Sequence, residues 1–326
     1  MSVKANTFGV GVATNITAAV GGREDLTDVI YNISPTETPF MSNIGRTKCS
    51  ATTHEWQTDS LASAAANQQL EGEDYDSAGL SASVVTTRAT NYTTISAKTL
   101  IISGTHESTL KAGRKSEIAY QVAKKGKELK RDIEFTLCQQ QADVASTGTT
   151  TRKTRALESW VDTNKSSGTS YALDATTHVI TDGTQRDLTE AMAKAAVQAA
   201  WTSGGDPEMM LTGPVNKQNV SSQFSGIATM YREQSGVGPG AIIGAADIYV
   251  SDFGELKVVP SRFSRDRTIS IIQKDMWAVA YLRPFKVYDL AKTGDAEKRL
   301  LLSEYTLESR NEAASAKVAD LNTSLL

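Results

Sequence analysis

The stretch Asp25-Leu26-Thr27-Asp28-Val29-Ile30-Tyr31-Asn32-Ile33-Ser34-Pro35-Thr36-Glu37-Thr38-Pro39-Phe40 decides how this chain is read. Asp25 and Asp28 are placed to cap or charge-complement a first helical turn, and Val29, Ile30 and Ile33 give that turn an apolar stripe. Ser34-Pro35 stops it, because proline holds the residue before it in extended geometry. Pro39 repeats the stop, and Phe40 and Met41 follow as apolar anchors. A short helix flanked by extended chain suits an arm that docks onto something else, and it carries no catalytic chemistry.

The flanks agree with that reading. Residues 1–24 are small and polar, with Gly9-Val10-Gly11 and Gly21-Gly22, and cannot fold alone. Downstream, Thr52–Thr58, Val84–Arg88 and Tyr92–Ser96 are rich in β-branched and aromatic residues and read as strands. Between them, Leu61 to Ser83 holds four acids (Glu71, Glu73, Asp74, Asp76) and no Lys or Arg. That stretch is too poor in large apolar groups to bury itself. Two strands flanking a long acidic tip make a hairpin projecting from a body, since a structureless loop of about 20 residues does not belong inside a compact domain.

From Ser116 to Ala145 there is no proline, and Ile118, Val122, Leu129, Ile133 and Leu137 share one helical face. Lys124 with Glu128 and Lys130 with Glu134 are expected to pair on the outer faces, each for a few tenths of a kcal/mol. Gly126 marks a bend or a close approach at a cost of about 1 kcal/mol relative to Ala. A Thr-, Ser- and Gly-rich stretch over 146–185 carries the small basic cluster Arg152-Lys153-Thr154-Arg155. Helices are expected over 187–202 and from Gly213-Pro214 to Phe224, with strands at Met209–Leu211, Ile248–Val250, Val258-Val259, Ile269–Ile272, Met276–Leu282 and Arg299–Leu307. Helix and strand are mixed without βαβ regularity, so the class is α+β.

With 326 residues the chain can bury a large core, as one large domain or two modest ones. Its 34 Lys and Arg against 37 Asp and Glu give a net charge of −3, which argues against tight nucleic-acid binding and permits a container that does not grip its contents. Cys49 and Cys138 suggest free thiols in a reducing compartment. No secretory h-region and no membrane-spanning apolar run is present. The three His are isolated, no cysteine or carboxylate set has metal-ligand spacing, and no nucleophile elbow occurs. Gly236–Gly244 lacks the Lys-Ser/Thr ending of a phosphate loop and reads as a turn or flexible loop.

Three stretches, in this order, resemble the tailed-bacteriophage major capsid proteins with the Hong Kong 97 type fold. They are residues 25–40; Lys111-Ala112-Gly113-Arg114 leading to Lys127-Glu128-Leu129-Lys130-Arg131-Asp132-Ile133-Glu134; and Asp252-Phe253-Gly254 followed by Val258-Val259-Pro260-Ser261-Arg262-Phe263. The resemblance implies an N-arm over 1–45, an extended E-loop hairpin over 46–105 and a P-domain over 106–182 with a spine helix over 116–145. It further implies an A-domain over 183–265, with 266–326 returning to complete the A- and P-domains and the C-terminus. The implied function is self-assembly into the hexamers and pentamers of an icosahedral shell enclosing double-stranded DNA without sequence-specific contact. Such a chain is a virion component assembled in a bacterial host cytoplasm, with no enzymatic activity, no cofactor, no metal and no membrane. Its expected partners are copies of itself, a portal, a decoration protein and, as no large segment precedes the arm, a separate scaffolding protein.

Inter-subunit contacts are then expected from Asp25, Asp28, Tyr31, Pro35, Pro39, Phe40, Glu71, Glu73, Asp74, Asp76, Arg152, Lys153 and Arg155. The tip from Leu61 to Ser83 has no Lys, so covalent Lys–Asn crosslinks are not expected from it. Removing residues 1–40 is expected to leave a folded body that forms no shell. An encapsulin-like nanocompartment is the alternative with the same fold, and a soluble hydrolase the alternative from another class.

Overall fold

In the computed structural model the described residues are 34–59, 61–66, 68, 71–72, 85–224 and 247–325. Asp25, Asp28, Tyr31, Glu73, Asp74, Asp76 and the Gly236–Gly244 loop lie outside them. The chain enters as helix α1 (Pro39–Asn43) and strand β1 (Gly45–Lys48), then forms the hairpin β2 (Thr53–Thr58) and β3 (Thr87–Tyr92). Strand β4 (Thr94–Ser103) leads through the short helix α2 (Gly104–Ser108) to the long helix α3 (Glu117–Cys138) and one turn of helix, α4 (Leu157–Trp160). Small pieces follow: β5 (Lys165–Ser166), β6 (Ala172–Leu173) and β7 (Ile180–Thr181). Then come α5 (Glu190–Thr202), β8 (Met209–Thr212), α6 (Pro214–Gln223), β9 (Ile248–Ser251), β10 (Gly254–Pro260) and β11 (Ile269–Ile272). The long strands β12 (Trp277–Asp289) and β13 (Ala296–Ser309) precede the last strand, β14 (Ala316–Val318).

Two sheets organise these elements. The first has the order β1-β12-β13-β4, with β1 parallel to β12 and the rest antiparallel. Its register shifts twice, between Tyr281 and Arg283 and between Arg283 and Lys286. Pro284 lies there, and without an N–H it cannot donate to the ladder. Helix α3 lies against β4 and β13. The second sheet has the order β5-β14-β11-β8-β10-β9, with α5 packed on β14 and α6 on β10. All four residues of β8 and of β11 are buried, as suits strands in the middle of a sheet. There are two cores: Phe40, Ile133, Leu137, Leu157, Trp277 and Tyr305 belong to one, which also takes Met209, Leu211 and Ile272 from the second sheet, and Leu188, Val197, Met210, Val220, Leu256 and Ile271 belong to the other.

Several expectations are corrected. The long helix ends at Cys138, not Ala145. Beyond it the amides of Gln139, Gln140 and Gln141 donate to the carbonyls of Phe263 (2.6 Å), Ile180 (2.6 Å) and Thr154 (2.7 Å), which holds that segment extended across both halves of the body. Glu128 pairs with Lys125 at 2.7 Å, not with Lys124, and Glu134 turns inward, away from Lys130. Gly126 does not break α3, which runs through it without interruption, and a Cβ placed there would meet only Leu301, at 3.9 Å. Pro39 does not repeat the Ser34-Pro35 stop. It occupies the first position of α1, where a missing N–H costs nothing. Phe40 is wholly buried, so a cut after residue 40 removes core and is too far downstream to spare the body.

Candidate functional site

The candidate site is where the entering segment and the β2–β3 hairpin are tied to the rest of the fold. The first tie is Glu134. Its carboxylate is wholly buried and accepts the backbone N–H groups of Phe40 (2.7 Å) and Met41 (2.8 Å). With Pro39 lacking an N–H, these are the next two orphan donors of α1, and one side chain satisfies both. Burial raises the Glu134 pKa, while the two N–H donors pull it down by less. Cys138, one turn further along α3, is buried too; burial and the Glu134 charge push its thiol up. Phe40 meets the Trp277 ring edge-on with 6.5 Å between centroids, and Trp277 donates to Ser315 Oγ at 2.9 Å. The chain entering the body is therefore locked by charge-assisted hydrogen bonds on one side and aromatic packing on the other.

The second tie holds the base of the hairpin. Asn91 is buried; its amide donates to the carbonyls of Leu307 (2.7 Å) and Arg155 (3.3 Å), and its Oδ1 accepts from the N–H of Arg155 (2.8 Å). Trp56 donates to the Ser309 carbonyl at 2.7 Å and lies 5.5 Å from Trp160. Glu308 gathers Thr47, His54 and Arg310. Burial pushes that carboxyl up, but the three donors outweigh it and hold it below its ordinary value. Glu304, also buried, accepts from Thr93 (2.9 Å) and from the guanidinium groups of Arg152 (2.6 Å) and Arg283 (2.7 Å). Away from this base the hairpin stands apart as a sheet of two strands, paired from Thr53–Tyr92 out to Thr58–Thr87. Leu61 and Val85 beyond it are almost fully exposed. Two strands alone are marginal in water.

These ties redistribute the residues expected at subunit contacts. Phe40 is core. Arg155 is buried, donates to the Ser159 carbonyl and stacks over Trp160 at 4.3 Å, because a planar guanidinium can satisfy a carbonyl and cover an aromatic face together. Arg152 serves Glu304 within the same chain, and Pro39 begins α1. That removes Phe40, Arg152 and Arg155 from the outward set. Lys153 and Glu71 are exposed, and Pro35 lines a groove beside α3. Sequence reasoning missed Glu134, Asn91 and Glu304; buried polar residues inside apolar stretches were the available signal.

A third polar cluster joins the C-terminal segment to the middle of the chain. Glu158 accepts from Arg265 (3.0 Å) and Thr268, while Arg265 and Arg267 share Asp182. Lys317 is wholly buried and donates to the Glu158 carbonyl (2.9 Å) and to Tyr171 Oη (2.6 Å). Burial pushes its pKa down to about 8. Among the described residues no group of three or more His, Cys, Asp or Glu could hold a metal ion, and no helix is long and apolar enough to cross a membrane.

A body of two sheets crossed by one long helix, with a hairpin standing off it and an entering segment locked beneath, is the architecture of Hong Kong 97 type capsid subunits. The capsid protein of a native GTA particle superimposes with a TM-score of 0.62 at 13% identity, covering 95% of this chain and all of that one. An encapsulin from Synechococcus elongatus does so with a TM-score of 0.55 at 11% identity, over 97% of this chain and 98% of that one. In sequence, the major capsid protein of Escherichia phage Phieco32 is 39% identical over 111 residues, which is 34% of this chain and about a third (31%) of that protein's length. The chain belongs to the SU10 major capsid protein family, whose model it matches over residues 6–322.

Proposed function

We propose that this chain is the major shell subunit of a phage virion, assembling into hexamers and pentamers around double-stranded DNA. The observation that carries the proposal, beside family membership, is the hairpin. It is bonded to the body through Asn91 and Trp56 at its base and exposes Leu61 and Val85 beyond, a shape suited to overlapping another copy. In this reading 1–45 is the N-arm, entering at the Glu134 tie, and 46–105 is the E-loop. Helix α3 is the spine of a P-domain over 106–182. The sheet of β8 to β10 with α5 and α6 forms most of an A-domain over 183–265, and the remaining strands complete both. Asp25, Asp28, Tyr31, Pro35, Pro39, Glu71, Glu73, Asp74, Asp76 and Lys153 are proposed at subunit contacts. A scaffolding protein, a portal and a decoration protein are proposed partners.

The encapsulin likeness is one of fold, and the sequence family favours the phage shell over an enzyme-filled compartment. Expression of the full chain with a co-expressed scaffold, followed by negative-stain microscopy, tests the proposal. Closed particles are expected; a homogeneous monomer in sedimentation would overturn it.

A further inference from the structure

The outward face of α3 carries positive charge that the subunit does not neutralise. Every carboxylate of that helix is engaged: Glu117 by Arg114, Glu128 by Lys125, Asp132 by Lys98, and Glu134 by the N–H groups of Phe40 and Met41. Lys124, Lys127, Lys130 and Arg131 are left with no carboxylate in ion-pair reach among the described residues, and the three lysines are exposed. Lys127 follows Lys124 by one helical turn, and Lys130 and Arg131 follow Lys127 by another, so the four form one ridge. At about 1.5 Å per residue the ridge is about 10 Å long.

Beside the ridge lies a cavity of about 250 Å³ lined by Ser34, Thr36, Tyr120, Lys124, Lys127 and Arg131. Its hydroxyl, ammonium and guanidinium groups can all donate hydrogen bonds. The one carboxylate at its wall, Glu128, is already held by Lys125 at 2.7 Å. A ligand that answers this surface brings negative acceptors in a row, a few ångströms apart. A DNA strand does so, with one phosphate per about 3.4 Å of helix axis, and a ridge of about 10 Å passes about three of them. The flexible lysine stems take up the remaining mismatch.

We propose that the α3 ridge is the surface on which this chain meets duplex DNA, with Lys124, Lys127, Lys130 and Arg131 contacting successive backbone phosphates. The proposal rests on the shell reading and names the face of the subunit turned to the enclosed DNA. Phosphate contacts position a duplex without reading its sequence, as a container for any genome segment requires. Four such contacts per subunit are screened by salt and let the duplex slide, which agrees with a chain of net charge −3 that does not grip its contents. On the far side of the ridge, Phe285, Val287 and Leu301 floor a second cavity edged by Lys127 and Lys130. An acidic protein segment would use that apolar floor; a phosphate backbone needs only the cations.

The salt dependence of DNA binding tests this. The unassembled full-length subunit is titrated with a mixed-sequence duplex of about 20 base pairs, read by fluorescence anisotropy at rising salt. Each phosphate contact adds about −0.9 to the slope of log affinity against log salt, so four give about −3.6, or about 300-fold weaker binding for a fivefold rise in salt. A ridge variant with Lys124→Gln, Lys127→Gln and Lys130→Gln keeps good helix formers and is expected to stay folded by circular dichroism, with a slope near −0.9. A control with Lys257→Gln, Lys286→Gln and Lys292→Gln loses the same charge from exposed lysines off the helix and is expected to keep the wild-type slope. A wild-type slope in the ridge variant, or an equal fall in both variants, would overturn the proposal; so would a wild type that does not bind the duplex at low salt. Particle formation with a co-expressed scaffold judges the shell reading separately, since wild-type particles beside an unchanged ridge-variant slope sink the DNA face alone. Particles lost in the ridge variant with its slope unchanged would give the ridge to a protein partner instead.

Discussion

Glu134→Ala is the sharpest perturbation of the anchorage of the entering segment at α1. The carboxylate meets two backbone N–H groups at 2.7 and 2.8 Å inside the core. Hydrogen bonds to a charged group contribute about 1.5–3 kcal/mol each, and a buried donor left without a partner costs about 1–3 kcal/mol. Against this stands the cost of burying a charge that no cation neutralises, which is why the carboxyl has a raised pKa. The net loss for Ala is then about 3–5 kcal/mol, most of it from two orphaned donors beneath Phe40. Glu134→Gln removes the buried charge and keeps one acceptor, but turns an NH2 toward one of the two N–H groups. Its loss should be about 1–3 kcal/mol, smaller than that of Ala.

The sign with pH follows. A carboxyl whose folded pKa lies above its unfolded value contributes stability that is full below the unfolded value and lost as pH rises through the folded one. Mild acid therefore does not release the entering segment through Glu134. Urea unfolding of the unassembled subunit, read by tryptophan fluorescence because Phe40 abuts Trp277, should give midpoints in the order wild type, Gln, Ala. Limited proteolysis before Gly45 should accelerate in the same order. Equal midpoints and equal cleavage for Ala and wild type would refute the anchoring role.

Asn91→Ala should cost about 2–4 kcal/mol in the same unfolding assay, since it strands the Leu307 carbonyl and the Arg155 N–H at the hairpin base. Gly126→Ala should raise stability by up to about 1 kcal/mol, because the new Cβ finds only ordinary contact with Leu301 at 3.9 Å; a loss would mean that α3 needs glycine there. Lys317, with a folded pKa pushed down to about 8 from 10.5, gives stability that rises as pH climbs between those values, by about 3 kcal/mol over the whole window. Lys317→Met should flatten that rise in urea titrations from pH 7.5 to 10; an unchanged slope would show that another group controls it.

Elements defined by their own periodicity could be read from the sequence. Ile118, Val122, Leu129, Ile133 and Leu137 announce α3 without reference to anything else, and Met209–Leu211 announces a buried strand. Features set by distant partners could not. The end of α3 depends on three glutamines finding carbonyls 124, 40 and 13 positions away, and the entry of the chain depends on a carboxylate 94 positions from Phe40. The charged residues show the same limit. Glu134 follows Ile133 on the buried side of the helix, so a pairing rule that counts only spacing assigned it to Lys130. Arg152 and Arg155 looked like a surface cluster because Glu304 and Trp160 are invisible from their neighbourhood.

The inversion has a physical cause. A charge can be kept inside a body only if the body supplies its partners, and those partners come from elements brought together by the fold. Charge that the fold leaves unanswered among the described residues, such as Lys124, Lys127 and Lys130 on α3, stays at the surface.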